Sequence, residues 1–347
     1  SITAVMGVRR RLATRIIAGC VAGAGLGSAS VGFSPSACRS MPPARGAAMQ
    51  AAAPVARVGI CQFPVTGDKD GNIAAAQGAI REAARRGAQL IVLPEIWNSP
   101  YATAAFPEYA EVCPDLGDDA TKSPSPSVVA IARMAAELGL FIIGGSIPER
   151  DEAGRIYNTC IVYDPRGTVA AKHRKVHLFD IDVPGKITFK ESETLSAGER
   201  VSNFRAGEAF GTVGVGICYD VRFPELALLM VREGARVLVY PGAFNMVTGP
   251  AHWELLMRAR ALDCQAYVIG ASPSRTEAPK EKGKYPHYTA WGHSMVVSPW
   301  GEVVGQLDEQ EGVLVVDLDM ARLEEVRQSI PTSQQKRYDV YALGRAA

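Results

Sequence analysis

From Val58 onward the chain alternates short, almost wholly apolar runs with longer stretches that mix apolar and polar residues. VGICQF predicts a strand, and GNIAAAQGAIREAARRGA predicts a helix ending near Gly87. QLIVLPE is short, apolar and continuous rather than alternating, the pattern of a strand buried on both faces. SVVAIARMAAELG predicts the next helix and LFIIGGSIPE the next strand. NTCIVYDPRGTVAAKHRK predicts a hairpin, turning where Asp164, Pro165, Arg166 and Gly167 supply the turn chemistry. Further strands fall in GTVGVGICYD, RVLVYPGAF, AYVIGASPS, SMVVSPWGEVVGQL and GVLVVDL, and helices follow Pro224, Pro250 and Met320. This alternation predicts one layered two-sheet α/β domain over residues 54–347, not an all-β sandwich.

The beginning of the chain is of another kind. Residues 1–67 hold no acidic residue, the first being Asp68, while Arg9, Arg10, Arg11, Arg15, Arg39, Arg45 and Arg57 stand among Ala, Ser and Gly. That composition is that of an organelle transit sequence, the alternative being a basic tail with no address. RRRLATR, IIAGCVAGAGLG and SASVG follow the order of a charged region, an apolar region and small residues. FSPSACRSMPPAR then looks like a second, plastid-type address, and the whole resembles the bipartite presequences of algae with complex plastids. A mitochondrial address stays open. Residues 1–53 are therefore expected to be a presequence for mitochondrion or plastid, removed on arrival. A form starting at Met49 would stay in the cytoplasm.

Of the 347 residues, 47% are hydrophobic and 21% charged, with a net charge of +1, an ordinary soluble globular balance. Such a charge gives no electrostatic case for nucleic acid or for an acidic membrane surface. No run of about 20 apolar residues lies in the main body, so no spanning helix is expected there. The seven cysteines are odd in number, scattered singly and without a CxxC pair, a poor disulfide framework. His173 and His177 are four apart, but HRKVHLFD does not read as helical and no HExxH accompanies it, so no metal is expected.

Three places carry candidate chemistry. Cys218 ends the apolar run GTVGVGIC, and Pro224 suits the first turn of a following helix. A strand-to-helix turn exposes a side chain at a sheet edge and aims backbone N–H groups at it. A lone Cys in an apolar strand is ordinarily packing, and Cys61, Cys160 and Cys264 take that reading. Cys218 differs because Asp220, Arg222 and Glu225 crowd behind it. Glu95 ends a buried strand, where desolvation raises a carboxyl toward the range of a general base. Alternation over residues 172–178 puts His173, Lys175 and His177 on one side. An inward Lys175 would lower the pKa of a nearby thiol and meet charge developing on a carbonyl oxygen.

Taken together these segments resemble the nitrilase superfamily of carbon–nitrogen hydrolases, from about residue 56 to the C-terminus. The matching blocks are LPEIWNSPY, KHRKVHLFDID, ITFKESETLSAGE and GICYDVRFPE, with YPGAFN, GPAHWELLMRARALD, AWGHSMVVSPWGEV and QKRYDVY typical of the omega-amidase branch. The resemblance implies a four-layer α-β-β-α sandwich that pairs with a second copy through sheet-covering helices and the C-terminal tail. It implies Glu95 as base, Lys175 as oxyanion partner, Cys218 as nucleophile and Glu191 as the second Glu, with a Cys thioester intermediate and no cofactor.

The branch acts on short amides bearing a distal carboxylate, such as 2-oxoglutaramate and succinamate. A cation should meet that carboxylate, from among Arg222, Arg258, Arg260 and His252, although Arg222 reads equally as a structural partner of Asp220 or Glu225. Tyr101, Phe179 and Tyr219 are expected to line the pocket. DLGDDATKSPSPS and SRTEAPKEKGKYPHY look like longer loops than the branch has, most simply surface insertions. A deaminated-glutathione amidase, an N-carbamoyl amidase, and an inactive scaffold on the same fold are the alternatives.

Overall fold

In the computed structural model, which describes residues 55–185, 187–278 and 283–345, the first half of the chain builds one sheet and its covering helices. The expected presequence lies outside the described residues. β1 (Ala56–Gln62) leads into α1 (Lys69–Arg85), whose first turn is capped by the Asp68 carboxylate accepting from the Gly71 N–H at 3.1 Å. β2 (Leu90–Val92), α2 (Phe106–Tyr109), α3 (Pro126–Leu138) and β3 (Phe141–Ile143) follow. α3 has Pro at its start and stops at Gly139, whose φ of 65° only glycine adopts at no steric cost. β4 (Ile147–Arg150), β5 (Ile156–Tyr163) and β6 (Val169–Arg174) complete this half, and β1, β2 and β3 run parallel.

A short hairpin, β7 (Asp180–Val183) with β8 (Ile187–Lys190), separates the halves. The second sheet comprises β9 (Ser202–Arg205), β10 (Thr212–Val215), β11 (Ala235–Pro241), β12 (Tyr267–Ala271), β13 (Met295–Val297) and β14 (Val303–Gln306). Its helices are α4 (Gly207–Phe210), α5 (Pro224–Arg232) and α6 (Gly249–Cys264). β15 (Gly312–Leu318) then returns to the first sheet, antiparallel to β1, and α7 (Met320–Ser329) follows.

The continuous apolar runs explain the layering. Val58, Ile60, Leu90 and Val92 point from the first sheet toward Val213, Val215, Val237 and Val239 of the second. Their neighbours Cys61 and Ile91 point the other way, onto Ile80 of α1 and Ile131 of α3. Trp253 and Met257 of α6 and Met230 of α5 pack with the second sheet. The expected α-β-β-α order follows, and each fully buried aliphatic chain stabilises it by roughly 1.5–3 kcal/mol.

Three strands are shorter than the sequence suggests. LFIIGGSIPE is broken between β3 and β4, because at Gly145 (φ 63°) a Cβ would lie 2.1 Å from the Pro94 carbonyl oxygen. β2 stops at Val92 and β10 at Val215, before Glu95 and Cys218 respectively. In the last two cases the chain leaves the ladder and buries the side chains of Glu95 and Cys218. The β7–β8 hairpin and α2 had no counterpart in the apolar pattern.

Candidate active site

Glu95 stands in a turn just beyond β2, and the Gly144–Ser146 break beside it holds that turn. Ser146 Oγ accepts from the Ile96 N–H at 3.0 Å, and the Gly144 carbonyl accepts from the Trp97 indole at 2.7 Å. Lys175 lies one residue past β6, its N–H donating to the Asn158 carbonyl at 2.8 Å. Glu191 opens a 3-10 turn directly after β8. Cys218 opens another, Cys218–Arg222, with φ 46°, a left-handed conformation that costs energy in any residue bearing a Cβ. Four separate strand ends thus converge.

The Lys175 ammonium donates to Glu95 Oε1 at 3.0 Å and to Glu191 Oε1 at 2.9 Å. Glu95 Oε1 also accepts from Asn158 Nδ2 at 2.9 Å, and Glu95 Oε2 accepts from the Ala243 N–H at 2.8 Å. Glu191 Oε2 accepts from the Phe179 N–H at 2.8 Å. The Tyr101 hydroxyl lies 2.9 Å from Glu191 Oε1 and 3.3 Å from Glu95 Oε1. Glu95, Lys175 and Glu191 are wholly buried, and Cys218 is 4% exposed.

Two carboxyl groups share one ammonium at 2.9–3.0 Å. Burial pushes the Glu95 carboxyl up; Lys175 opposes this and Glu191 reinforces it, leaving Glu95 above the ordinary carboxylate range. For Lys175 burial works against the charge, but Glu191 and Glu95 outweigh it and hold the ammonium above its ordinary value. Burial pushes the Cys218 thiol well above its usual value, Glu95 adds to this, and Lys175 only partly counters. Lys175 pulls the thiol down, in the expected direction, and burial outweighs it. The resting site presents a neutral thiol beside a buried carboxyl group.

Asp220 locks this turn to the strand that carries Lys175. Its carboxylate meets His173 Nε2 at 3.0 Å and His177 Nδ1 at 2.8 Å, and accepts from the Ile217 N–H at 2.9 Å. Burial alone would raise the Asp220 carboxyl, yet the two histidines hold it well below the usual range. The paired histidines are joinery. Among the described residues no group of three or more His, Cys, Asp or Glu could hold a metal.

Arg222 bonds neither Asp220 nor Glu225. Its guanidinium sits 5.0 Å from the Phe244 ring centroid and 5.6 Å from that of Tyr219, with Nη1 3.3 Å from His252 Nδ1. Its buried Nε has no partner, and burial weighs against its charge with no carboxylate to compensate. Arg258 is committed to the Gly301 carbonyl and Glu254, and Arg260 to Asp263. Phe179 packs its ring edge to face against Tyr219, centroids 5.2 Å apart.

A cavity of about 490 Å³ opens over Glu95, and Tyr101, Ala243, Lys284, Tyr285 and Tyr288 are among its walls. Of the segment expected as a surface insertion, SRTEAPKEKGKYPHY, residues 274, 276, 277 and 283–288 line it. DLGDDATKSPSPS, in contrast, packs by α3, where Asp119 caps a 3-10 turn (Ala120–Lys122). Tyr101 lines the cavity, whereas Phe179, Tyr219, Arg222 and His252 group beside the Cys218 turn instead.

Residues 55–328 match the family model described as carbon-nitrogen hydrolase. The chain belongs to the carbon–nitrogen hydrolase family. It is 52% identical over 287 residues to the Xenopus tropicalis protein named omega-amidase NIT2, covering 83% of this chain and 97% of that one. With an Arabidopsis thaliana protein named omega-amidase, chloroplastic, it shares 51% over 286 residues, 82% of this chain and 73% of the relative. The crystal structure of Saccharomyces cerevisiae Nit3, a member of branch 10 of the nitrilase superfamily, superimposes with a TM-score of 0.72 at 41% identity, covering 82% and 97% of the two chains. Sequence reading missed two groups of this hydrolase site. Asn158 is a lone amide inside the buried run NTCIVY, a signal that could have been used; the Ala243 N–H is backbone and leaves no sequence signature.

Proposed function

We propose that this carbon–nitrogen hydrolase is an omega-amidase, releasing ammonia from the terminal amide of short dicarboxylic monoamides such as succinamate and 2-oxoglutaramate. The relatives so named, alike over more than four-fifths of the chain, support the activity. The observation that carries the substrate class is Arg222, a half-buried guanidinium four residues from Cys218 with no protein carboxylate to meet it. A desolvated cation of that kind suits a substrate carboxylate.

In this reading the Cys218 thiol gives its proton to Glu95 as Sγ attacks the amide carbonyl carbon. The resulting oxyanion is met by the Lys175 ammonium and by the Tyr219 N–H, each such donor being worth about 10²–10³ in rate. Glu95 passes the proton to the departing nitrogen, ammonia leaves, and a thioester remains on Cys218. Water then gives a proton to Glu95 and its oxygen to the acyl carbon, and the acid departs as the thiol is restored. Glu191 fixes Lys175 and Tyr101 from behind. Every proton and electron pair is accounted for by chain, amide and water, so the reaction calls for no cofactor.

All four side chains of this scheme are present, which tells against an inactive scaffold. Ammonia release measured over succinamate, 2-oxoglutaramate, a deaminated glutathione and an N-carbamoyl amine tests the assignment. Turnover of the first two above the others is expected; preference for either of the last two would move the enzyme to the alternative branch. Residues 1–53 we propose as an organelle presequence, supported by their acid-free, Arg-rich composition and by a relative named chloroplastic.

A further inference from the structure

The wall formed by residues 273–277 and 283–290 is tied to the Glu95 and Glu191 carboxylates at Tyr288. Trp291 N–H donates to the Phe244 carbonyl at 2.7 Å, and Ala290 bridges to Asn245, so the end of the segment runs beside residues 243–245. Tyr288 stands at that junction. Its hydroxyl donates to the Ala243 carbonyl, and the Ala243 N–H in turn holds Glu95 Oε2 at 2.8 Å. Its ring stacks on Tyr101 at 4.6 Å and 29°. Tyr101 is the residue whose hydroxyl reaches both Glu191 and Glu95. A single side chain therefore braces two of the groups that fix the Glu95 carboxylate. At its outer end the same segment is clamped, Lys284 and Tyr285 both reaching the Glu108 carboxylate beside α2.

We infer that Tyr288 is a positioning residue for the Glu95 base, acting through Ala243 and Tyr101, and that it couples the cavity wall to the catalytic carboxylate. The inference rests on the reading of Glu95 as general base. The physical reason is the tolerance of proton transfer to geometry: the carboxylate must stay within hydrogen-bond reach of the thiol. The Ala243 N–H meets Glu95 and the Cys218 thiol, and Tyr288 anchors the carbonyl of the same residue. Without that anchor the backbone at Ala243 turns, its N–H bond to Glu95 lengthens, and the carboxylate form loses a donor that stabilises it.

Tyr288→Phe removes the hydroxyl and keeps the stacked ring. It is expected to lower kcat on succinamate roughly ten-fold, with KM little changed. It should also move the acid limb of kcat/KM toward higher pH by about half a unit, since a carboxylate that loses a donor binds its proton more tightly. Tyr288→Leu, which also loses the ring, should extend both effects. Melting curves for both variants accompany the kinetics. An acid limb that stays in place, with or without a fall in stability, overturns the inference and leaves Tyr288 a packing residue. Glu95→Gln separates the two claims. If it retains turnover, the base assignment itself fails; if it abolishes turnover while Tyr288→Phe behaves as wild type, only the role of Tyr288 fails.

Discussion

At the scale of single residues, burial decides which protonation state the site holds. Lys175 is within contact of two carboxylates, and burial plus Glu95 keep the Cys218 thiol neutral. In the proposed mechanism the nucleophile is made on demand, by proton transfer to Glu95 during attack. Cys218→Ala is expected to abolish ammonia release while the melting temperature stays near wild type, because one small side chain is lost. Cys264→Ala, in the packing behind α6, should stay within a few-fold. Iodoacetamide should label Cys218, substrate should protect it, and Glu95→Gln should slow the labelling, since no base then draws off the thiol proton. Label found chiefly on another cysteine, or labelling unaffected by Glu95→Gln, would contradict this. The sign of the pH dependence follows. Glu95 must be ionised to accept a proton, and its pKa is raised above the ordinary 4.5, so kcat/KM should fall on acidification earlier than a free glutamate would dictate.

At the scale of elements, the catalytic geometry belongs to junctions rather than to strands. Gly145→Ala forces a Cβ into the Pro94 carbonyl and strains a positive φ, so it should displace the turn bearing Glu95. A loss of about 3 kcal/mol or more in denaturant unfolding, with activity falling further than stability, is the expected result. Asp220→Asn tests the second junction. Its folded pKa lies below the ordinary 3.8, so the ionised carboxylate contributes stability that is present above that value and is lost as pH falls through the lower, folded one. The variant should therefore lose stability at neutral pH, and the gap from wild type should narrow on acidification. Urea titrations at several pH values read both.

The sequence showed the elements because β1, β2 and β11 are continuous apolar runs and α1 and α3 carry cap signals at their ends. Cys218 and Glu95 stood out as polar or reactive groups at the edge of such a run, Lys175 through the alternation of residues 172–178, and Glu191 only through the family resemblance. What stayed hidden depends on three-dimensional closure. Gly145 meets Pro94 from another strand, Asp220 meets histidines more than forty residues away, and Ala243 acts through its backbone. The insertion was expected at the surface from its polar, Pro- and Lys-rich composition, and Glu277, Lys284 and His287 are exposed there; what stayed hidden is that Tyr288 lines the cavity.

At the scale of the whole molecule, α6 leaves Leu255 64% and Leu262 53% exposed. We propose that a second copy of the chain covers it. Sedimentation velocity should show a dimer, and Leu255→Glu combined with Leu262→Glu should yield monomers; a wild-type monomer at micromolar concentration would contradict the pairing. The two sheets, the strand-end site and Arg222, which no protein carboxylate meets among the described residues, come together in one quantity, the preference for an amide that carries a distal carboxylate. That preference is read as the ratio of kcat/KM for succinamate to that for butyramide, in the wild type and in Arg222→Ala. A buried cation left without its partner costs on the order of 1–3 kcal/mol, so the wild-type ratio should be roughly five to 150. In Arg222→Ala the ratio should collapse toward one while butyramide turnover persists. Equal rates on the two amides in the wild type, or a ratio unchanged by the substitution, would contradict the account.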